Sequence, residues 1–285
     1  MNRNNGRTTS GAWRLAAWGV LAAGILLTPE AMAQGLSIRD SKHNLGTTGS
    51  ATNTYQFSGT DEVCVFCHTP HGSDTSAAVP LWNRTLANPS SYTTYDQLGT
   101  SSLDGKVGPV GSVSIACLSC HDGSLAFNAV INAPGSGTAG SAAWQAGTFR
   151  GGFDKMQAGS IALLGTDLRN DHPISIQYAG GGYSTANVGT AGNLGADKDF
   201  AVPRNTVLAS TTVWWVDSVV GTTGTREKTD MLLYTRAAAA GYAGQTNPEP
   251  YVECASCHDP HQANNPTFLR IPNTGSQLCL TCHVK

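Results

Sequence analysis

The chain has 285 residues, of which only 13% are charged and 33 are glycine, and its formal net charge is −2 at pH 7. A globular chain usually carries about 25% charged residues and about 7% glycine, so we expect little regular secondary structure. The near-neutral charge does not indicate nucleic-acid binding, which we do not expect, and it leaves little repulsion between copies of the chain.

The amino-terminal residues 1–33 predict a signal peptide. Three arginines and no acid precede an apolar run at residues 15–27, and Ala31-Met32-Ala33 supplies a small-x-small cleavage pattern before Gln34. The run is shorter than the about 20 residues that span a bilayer, although an amino-terminal anchor is the alternative. We expect an exported protein with no membrane span in the mature chain, either extracellular and at the cell surface or periplasmic.

The later elements are short and separated by turn-forming stretches such as residues 133–140 and 179–182. In chain order, the sequence predicts a helix at residues 113–121, strands at residues 174–178, 211–216 and 231–235, and a helix at residues 277–283. The predicted fold class is therefore mostly irregular, with short α-helices and a few short β-strands.

All eight cysteines fall in copies of Cys-x-x-Cys-His, which we number sites 1 to 4 in chain order. The motifs are Cys64, Cys67 and His68; Cys117, Cys120 and His121; Cys254, Cys257 and His258; and Cys279, Cys282 and His283. Two thiols at this spacing add to the vinyl groups of one porphyrin, and the following histidine binds its iron. Zinc ribbons or disulfides would also use eight cysteines, but neither needs a histidine after every second cysteine. The sequence predicts four covalently attached haem c groups.

The histidines outside the motifs equal the predicted irons in number. They are His43, His71, His172 and His261. This count predicts six-coordinate irons, each held by two imidazoles. The methionines left in the predicted mature chain, Met156 and Met231, are not needed as ligands.

His71 and His261 each lie three residues after a motif histidine. Two axial ligands of one haem have Cα atoms about 13 Å apart, whereas three residue steps span at most about 10 Å. Each of these histidines must therefore reach a neighbouring iron, which brings two porphyrins close together. We expect both to bridge within their own halves of the chain.

The sites repeat in the order A, B, A, B, because sites 1 and 3 read Cys-x-x-Cys-His-x-Pro-His and sites 2 and 4 lack the extension. His43 and His172 each precede one half. The repeat predicts a single haem-carrying domain at residues 34–285, built from two dihaem halves at about residues 34–150 and 165–285.

His43 lies near the start of the predicted mature chain, and His283 lies near the carboxyl end of the sequence. From this placement we predict that His43 binds a haem of an adjacent copy, which would link copies head to tail into an open filament.

These motifs resemble those of exported tetrahaem cytochromes with doubled haem motifs, a group that includes subunits of extracellular cytochrome filaments, or nanowires. The resemblance rests on residues 64–71, 80–84, 117–123, 170–174, 254–261 and 279–283. It implies a chain folded around a continuous haem stack, bis-histidine ligation and redox partner cytochromes. In the filament members it also implies one axial histidine donated across subunits.

Two classes of function remain open at this point. An electron-transfer protein needs every iron closed by two ligands, whereas a multihaem reductase needs an open iron for its substrate. The histidine count favours electron transfer without catalysis. A discrete periplasmic electron shuttle is the alternative to a filament subunit.

Overall fold

Irregular backbone dominates the computed structural model, which confirms the fold class predicted from composition. The structure describes residues 37–100, 102–135, 139–189 and 192–284, so the predicted signal peptide lies outside it. Residues Gly35–Lys285 pack as one unit. Their division into two dihaem halves stays a prediction.

The α-helices of the described residues are short, and most of them carry haem motifs. They are α1 (Ser112–His121), α2 (Ala142–Gln145), α3 (Cys254–Cys257) and α4 (Gln277–Cys282). Helix α1 carries site 2, α3 carries site 3 and α4 carries site 4, whereas site 1 lies in a turn. Soon after α1 ends, Gly123 adopts a φ of +73°, a left-handed conformation that glycine tolerates. Both predicted helices are confirmed to within a residue at each end.

Single turns of 3₁₀-helix join many of these elements. They span Ile38–Asp40, Pro89–Ser91, Tyr95–Leu98, Tyr178–Gly180, Thr185–Asn187, Ala238–Ala240, Pro266–Phe268 and Thr274–Ser276. Within the described ranges, the structure contains no helix with the length and hydrophobicity needed to cross a bilayer.

One antiparallel sheet lies in the second half of the chain, with the strand order β1-β5-β4-β3-β2. Its strands are β1 (Ile176–Gln177), β2 (Arg204–Leu208), β3 (Thr211–Val216), β4 (Met231–Arg236) and β5 (Glu249–Val252). The predicted strands at β3 and β4 are confirmed, and the one at residues 174–178 is reduced to two paired residues. Strand β5 leads directly into site 3, so the sheet fixes where that site begins.

The hydrophobic core is divided into separate clusters that border the motif cysteines. The first contains Trp82, Tyr92, Val110, Ile115, Leu118 and Leu168 with Cys67 at its margin. The second contains Tyr178, Tyr183, Trp214, Val216, Met231, Leu233 and Ile271 with Cys257 and Cys282 at its margin. The third contains Phe57, Val65, Phe66 and Trp144, again beside Cys67. Haem attached at these cysteines would extend each cluster.

Candidate haem sites

The four motifs follow one another in space in the order in which they follow one another in the chain. Across sites, Cys67 interacts electrostatically with Cys117 and Cys120, Cys117 is hydrogen-bonded to Cys254, and Cys257 interacts electrostatically with Cys279 and Cys282. Helix α1, with site 2, also packs on helix α3, with site 3. Each attachment site is therefore next to its successor.

Burial keeps most of these thiols neutral. It raises the pKa of Cys67 and of Cys282 to about 12 and that of Cys257 to about 11. Between sites 2 and 3, the Cys117 thiol donates a hydrogen bond to the Cys254 sulfur, which raises the pKa of Cys117 and lowers that of Cys254. These groups face the interior, where an attached porphyrin would be shielded from water.

Among the described residues, the cysteines form neither the disulfides nor the zinc ribbons that were the alternative uses. All eight cysteines are free thiols. Within the described part of the chain, no three histidine, cysteine, aspartate or glutamate side chains converge to hold a metal ion. A zinc ribbon requires four such ligands around one ion.

Backbone carbonyls orient the motif histidines. The Nδ1 atoms of His68, His121 and His258 hydrogen-bond to the carbonyl oxygens of Pro80, Ala162 and Thr267 at 2.8, 2.7 and 2.7 Å, respectively. A proton held at Nδ1 fixes the tautomer and leaves Nε2 with a lone pair for iron. This arrangement suits the proximal ligand of a c-type haem.

Two short stretches that return to their haem motif supply these carbonyls at sites 1 and 3. We call residues 80–84 the first return segment and residues 267–271 the second. Beside the histidine bond, the Thr69 amide donates to Leu81 O at 2.9 Å, and the Asp259 amide donates to Phe268 O at 2.8 Å. Leu81 and Phe268 both have left-handed φ values, 57° and 61°.

A third hydrogen bond completes the match between the two return segments. The Asn83 amide donates to Cys67 O at 2.8 Å, and the Arg270 amide donates to Cys257 O at 2.9 Å. The A-type sites thus repeat in backbone structure as well as in sequence.

At sites 2 and 4, other stretches of the chain hydrogen-bond to the backbone of the haem motif. At site 2 the Leu164 amide donates to His121 O at 2.8 Å, so the contacting stretch follows the motif. At site 4 the Ala201 amide donates to Cys282 O at 2.8 Å, and the Phe200 ring lies 4.5 Å from the His283 ring, so that stretch precedes the motif. No sequence pattern marks either stretch.

Arg84 joins site 1 to site 2 and is fully buried. Its guanidinium donates to Ser119 Oγ and O at 3.2 and 3.1 Å, to Phe127 O at 2.7 Å and to Ala126 O at 2.8 Å. Its neighbour Asn83 donates to Val65 O at 2.7 Å, inside site 1. The first return segment therefore contacts two haem sites at once.

A buried hydrogen-bond network centred on Glu253, which also forms an ion pair with Arg236 of strand β4, joins site 2 to site 3. Arg236 Nε donates to a Glu253 carboxylate oxygen at 2.7 Å, and both side chains are almost wholly buried. The Ser114 hydroxyl of helix α1 donates to the other Glu253 oxygen at 2.5 Å and accepts the Cys254 amide at 3.0 Å. Burial raises the pKa of Glu253, while Arg236 and the serine hydroxyl favour its ionised form. Sequence analysis missed this pair, although Glu253 directly precedes Cys254.

Two of the spare histidines lie beside motif histidines. The centroid of the His261 ring is 6.1 Å from that of His68, and the centroid of the His43 ring is 6.2 Å from that of His121. Burial lowers the pKa of His43 to about 4 and also lowers that of His121. Both are therefore neutral at pH 7, the form that binds metal.

His71 and His172 are exposed. The His71 carbonyl accepts the Thr69 hydroxyl at 3.0 Å, and His172 Nδ1 hydrogen-bonds to Pro173 O at 3.0 Å. Within the described residues, neither imidazole lies against another histidine ring.

Two buried indole groups support the fit of haem to these sites. Trp82 Nε1 and Trp214 Nε1 have no hydrogen-bond partner within the described residues. Trp82 lies edge-on to His68, with ring centroids 6.0 Å apart, and Trp214 belongs to the cluster that borders Cys257 and Cys282. A buried donor without a partner is costly. A haem propionate is an acceptor that each indole lacks in the protein alone.

Comparison with known protein families gives a match in the carboxyl-terminal part of the chain. Residues 250–285, which hold sites 3 and 4, match the family model of the doubled CXXCH motif. This match indicates a multihaem c-type cytochrome with covalently bound haem, and it suggests electron transfer rather than catalysis. No curated protein matches the chain.

Proposed function

We propose that the protein carries four haem c groups, each closed by two imidazoles, and that it passes electrons along them. The observation that carries this proposal is the succession of motif sulfurs near enough to interact electrostatically, from site 1 to site 2 and from site 3 to site 4, with a hydrogen bond between the sulfurs of sites 2 and 3. Haems anchored at such neighbouring positions lie close together, and electron tunnelling falls steeply as the separation of their edges grows.

The protein's part in this function is to hold and shield the haems. Haem supplies a one-electron iron couple when bound. The cysteines would anchor each porphyrin, His68, His121, His258 and His283 would supply the proximal nitrogens, and His43, His71, His172 and His261 would supply the distal ones. The carbonyls that accept from Nδ1 raise the basicity of the proximal imidazoles, which favours the oxidised iron.

Mass spectrometry and spin-state measurements test this proposal. We expect the mass of the secreted protein to show four attached haems, and electron paramagnetic resonance to show low-spin ferric signals alone. A high-spin signal, or carbon monoxide binding to the native reduced protein, would instead indicate an open iron and support the reductase alternative.

We further propose that copies assemble into an extracellular filament. Support comes from the low charge of the chain, from its predicted signal peptide, and from the exposure of site 4, where Cys279 is exposed and Leu280 and Val284 are 51% and 58% exposed. A haem at such a surface is positioned for transfer to a second molecule, either another copy or a partner cytochrome.

Negative-stain electron microscopy of the secreted fraction tests assembly directly. Thin fibres of uniform width are expected. Single particles that stay separate at all concentrations would favour the periplasmic shuttle. Donation of His43 to an adjacent copy remains a prediction from sequence, and the position of this ring beside His121 of the same chain supports a different role.

A further inference from the structure

Residues 259–268, which follow the motif of site 3 and which we call the site 3 segment, contain His261 and contact His43. We infer that His261 is the second axial ligand of the haem at site 1 and that His43, held in place by residues of the site 3 segment, is the second axial ligand of the haem at site 2. This inference rests on the proposed function, because it assumes haem at both sites.

The separation of the rings carries the first step. An iron between two imidazoles places the ring centroids about 6.4 Å apart, since each metal–nitrogen bond is about 2 Å and each nitrogen lies about 1.2 Å from its ring centre. The observed separations are 6.1 Å for His68 and His261 and 6.2 Å for His43 and His121. Axial imidazoles can be parallel or crossed, so the interplanar angles of 20° and 74° both suit this role.

Direct stacking does not account for the His68–His261 pair. Its rings are nearly parallel, yet their centroids are 6.1 Å apart. A face-to-face contact in the same region, between His43 and Phe268, brings the centroids to 4.3 Å with an angle of 10°. The centroids of the two histidine rings are thus farther apart than in a stacked pair, at the separation expected for two axial ligands.

The site 3 segment also orients both distal rings. Asp259 Oδ1 accepts the His261 amide at 3.0 Å and lies 3.4 Å from His261 Nδ1, which leaves Nε2 of that ring for iron. His43 Nδ1 faces Pro260 O at 3.5 Å, and its ring stacks on Phe268 of the second return segment. Residues 259–268 thus position both ligands, although neither of the irons they would complete belongs to site 3.

This pairing differs from the expectation that His71 and His261 each bridge within their own halves, because His261 and His43 would already complete sites 1 and 2. Three residue steps keep His261 away from the iron of His258, as the sequence predicts. The structure then turns it toward site 1 rather than toward site 4. Sites 1 and 2 would consequently stay incomplete until the second half of the chain has folded against them.

Removing haems one at a time tests the pairing. His261→Ala is introduced into the full protein and into a trihaem variant in which Cys64→Ala and Cys67→Ala remove the site 1 haem. We expect one of the four haems to become high-spin in the full protein and no further high-spin haem in the trihaem variant. His71→Ala is the matched control, because it should open one haem in both backgrounds. A new high-spin haem caused by His261→Ala in the trihaem variant would overturn the assignment.

The same design applies to His43 with Cys117→Ala and Cys120→Ala. His43→Ala should open one haem in the full protein and none in the variant without the site 2 haem. An isolated monomer that retains only low-spin haems supports ligation within the chain. A monomer with one high-spin haem that becomes low-spin on assembly would show that His43 acts between copies and would overturn this part.

A measurement on the unmodified protein covers the case in which a trihaem variant does not fold. In the reduced, diamagnetic protein, ring protons of axial histidines shift far upfield, and nuclear Overhauser effects connect them to their haem. Contacts from His261 to the haem bonded to Cys64 and Cys67 are expected, and contacts to any other haem would contradict the pairing. Failure of the proposed function would look different, because the wild-type protein itself would then lack four low-spin haems.

Discussion

Sites 1 and 3 share their local backbone structure but differ in the side chains that join each of them to site 2. Each return segment makes the same three hydrogen bonds to its motif. The first segment reaches site 2 through the buried Arg84, whereas site 3 reaches site 2 through Glu253 and Ser114. The difference teaches that the geometry around one haem motif follows from a repeated local pattern, while the spacing between motifs is set by different side chains at each junction.

Withholding haem should prevent sites 1 and 3 from folding, and this is the largest effect on stability that we expect. Each hydrophobic cluster is small and borders a motif cysteine, so the protein without haem lacks a continuous core. We expect the haem-free chain, with its thiols kept reduced, to show no cooperative melt by far-ultraviolet circular dichroism. The haem-loaded protein is the control, and a cooperative melt of both forms at similar temperatures would contradict this prediction.

Among single substitutions, loss of the buried interactions of Glu253 between sites 2 and 3 should lower the free energy of unfolding most. Glu253→Gln leaves Arg236 as an unpaired charge in the interior, and loss of one partner of a buried pair costs about 3–5 kcal/mol. Denaturant unfolding followed at the Soret band measures the effect. Arg204→Met is the control, because its exposed pair with Asp217 is worth at most about 1 kcal/mol. Equal losses in the two variants would show that the buried pair is unimportant.

Loss of the Arg84 hydrogen bonds between sites 1 and 2 should lower the free energy of unfolding by the next largest amount. Arg84→Met leaves the carbonyls of Ser119, Ala126 and Phe127 without their donor, and we expect a loss of about 2–4 kcal/mol from hydrogen bonds to a charged group. The variant should also shift the spectra or potentials of two haems. In contrast, Arg270→Met, which removes bonds to Ala255 O and Lys228 O, should affect site 3 alone. Matching effects from both variants would contradict the separate roles.

The smallest effect should distinguish the return segments themselves. Leu81 is half exposed and has a left-handed φ, so Leu81→Gly should relieve strain and stabilise the protein by at most about 1 kcal/mol. Phe268 has a similar left-handed φ but stacks on His43, so Phe268→Gly should destabilise the protein and weaken the low-spin signal of one haem. Thermal unfolding and electron paramagnetic resonance measure the two outcomes. A loss of stability in both variants would show that side-chain packing outweighs strain at each position.

Some of the fold could be predicted from local signals. Strand β3 and helix α1 show the expected hydrophobic patterns and lie where the sequence predicts them. Strand β2 was missed because most of its residues are exposed, and β5 was missed because Pro250 and Glu249 obscure its pattern. Both pair with strands that are far better marked, so the sheet itself decides their conformation.

The sequence by itself determined the number of Cys-x-x-Cys-His motifs, the candidate ligands, the A, B, A, B order and the sparse secondary structure. These features depend on residue type and on spacings of a few residues, because covalent attachment and the proximal ligand lie within one motif. Only the tertiary structure decided that His261 faces site 1, that His43 faces site 2 and that Glu253 joins two sites. The contacts that set this arrangement link residues 217 positions apart for His43 and Pro260 and 139 positions apart for Ser114 and Glu253. Such pairs carry no local signal, because they form only when distant parts of the chain pack together.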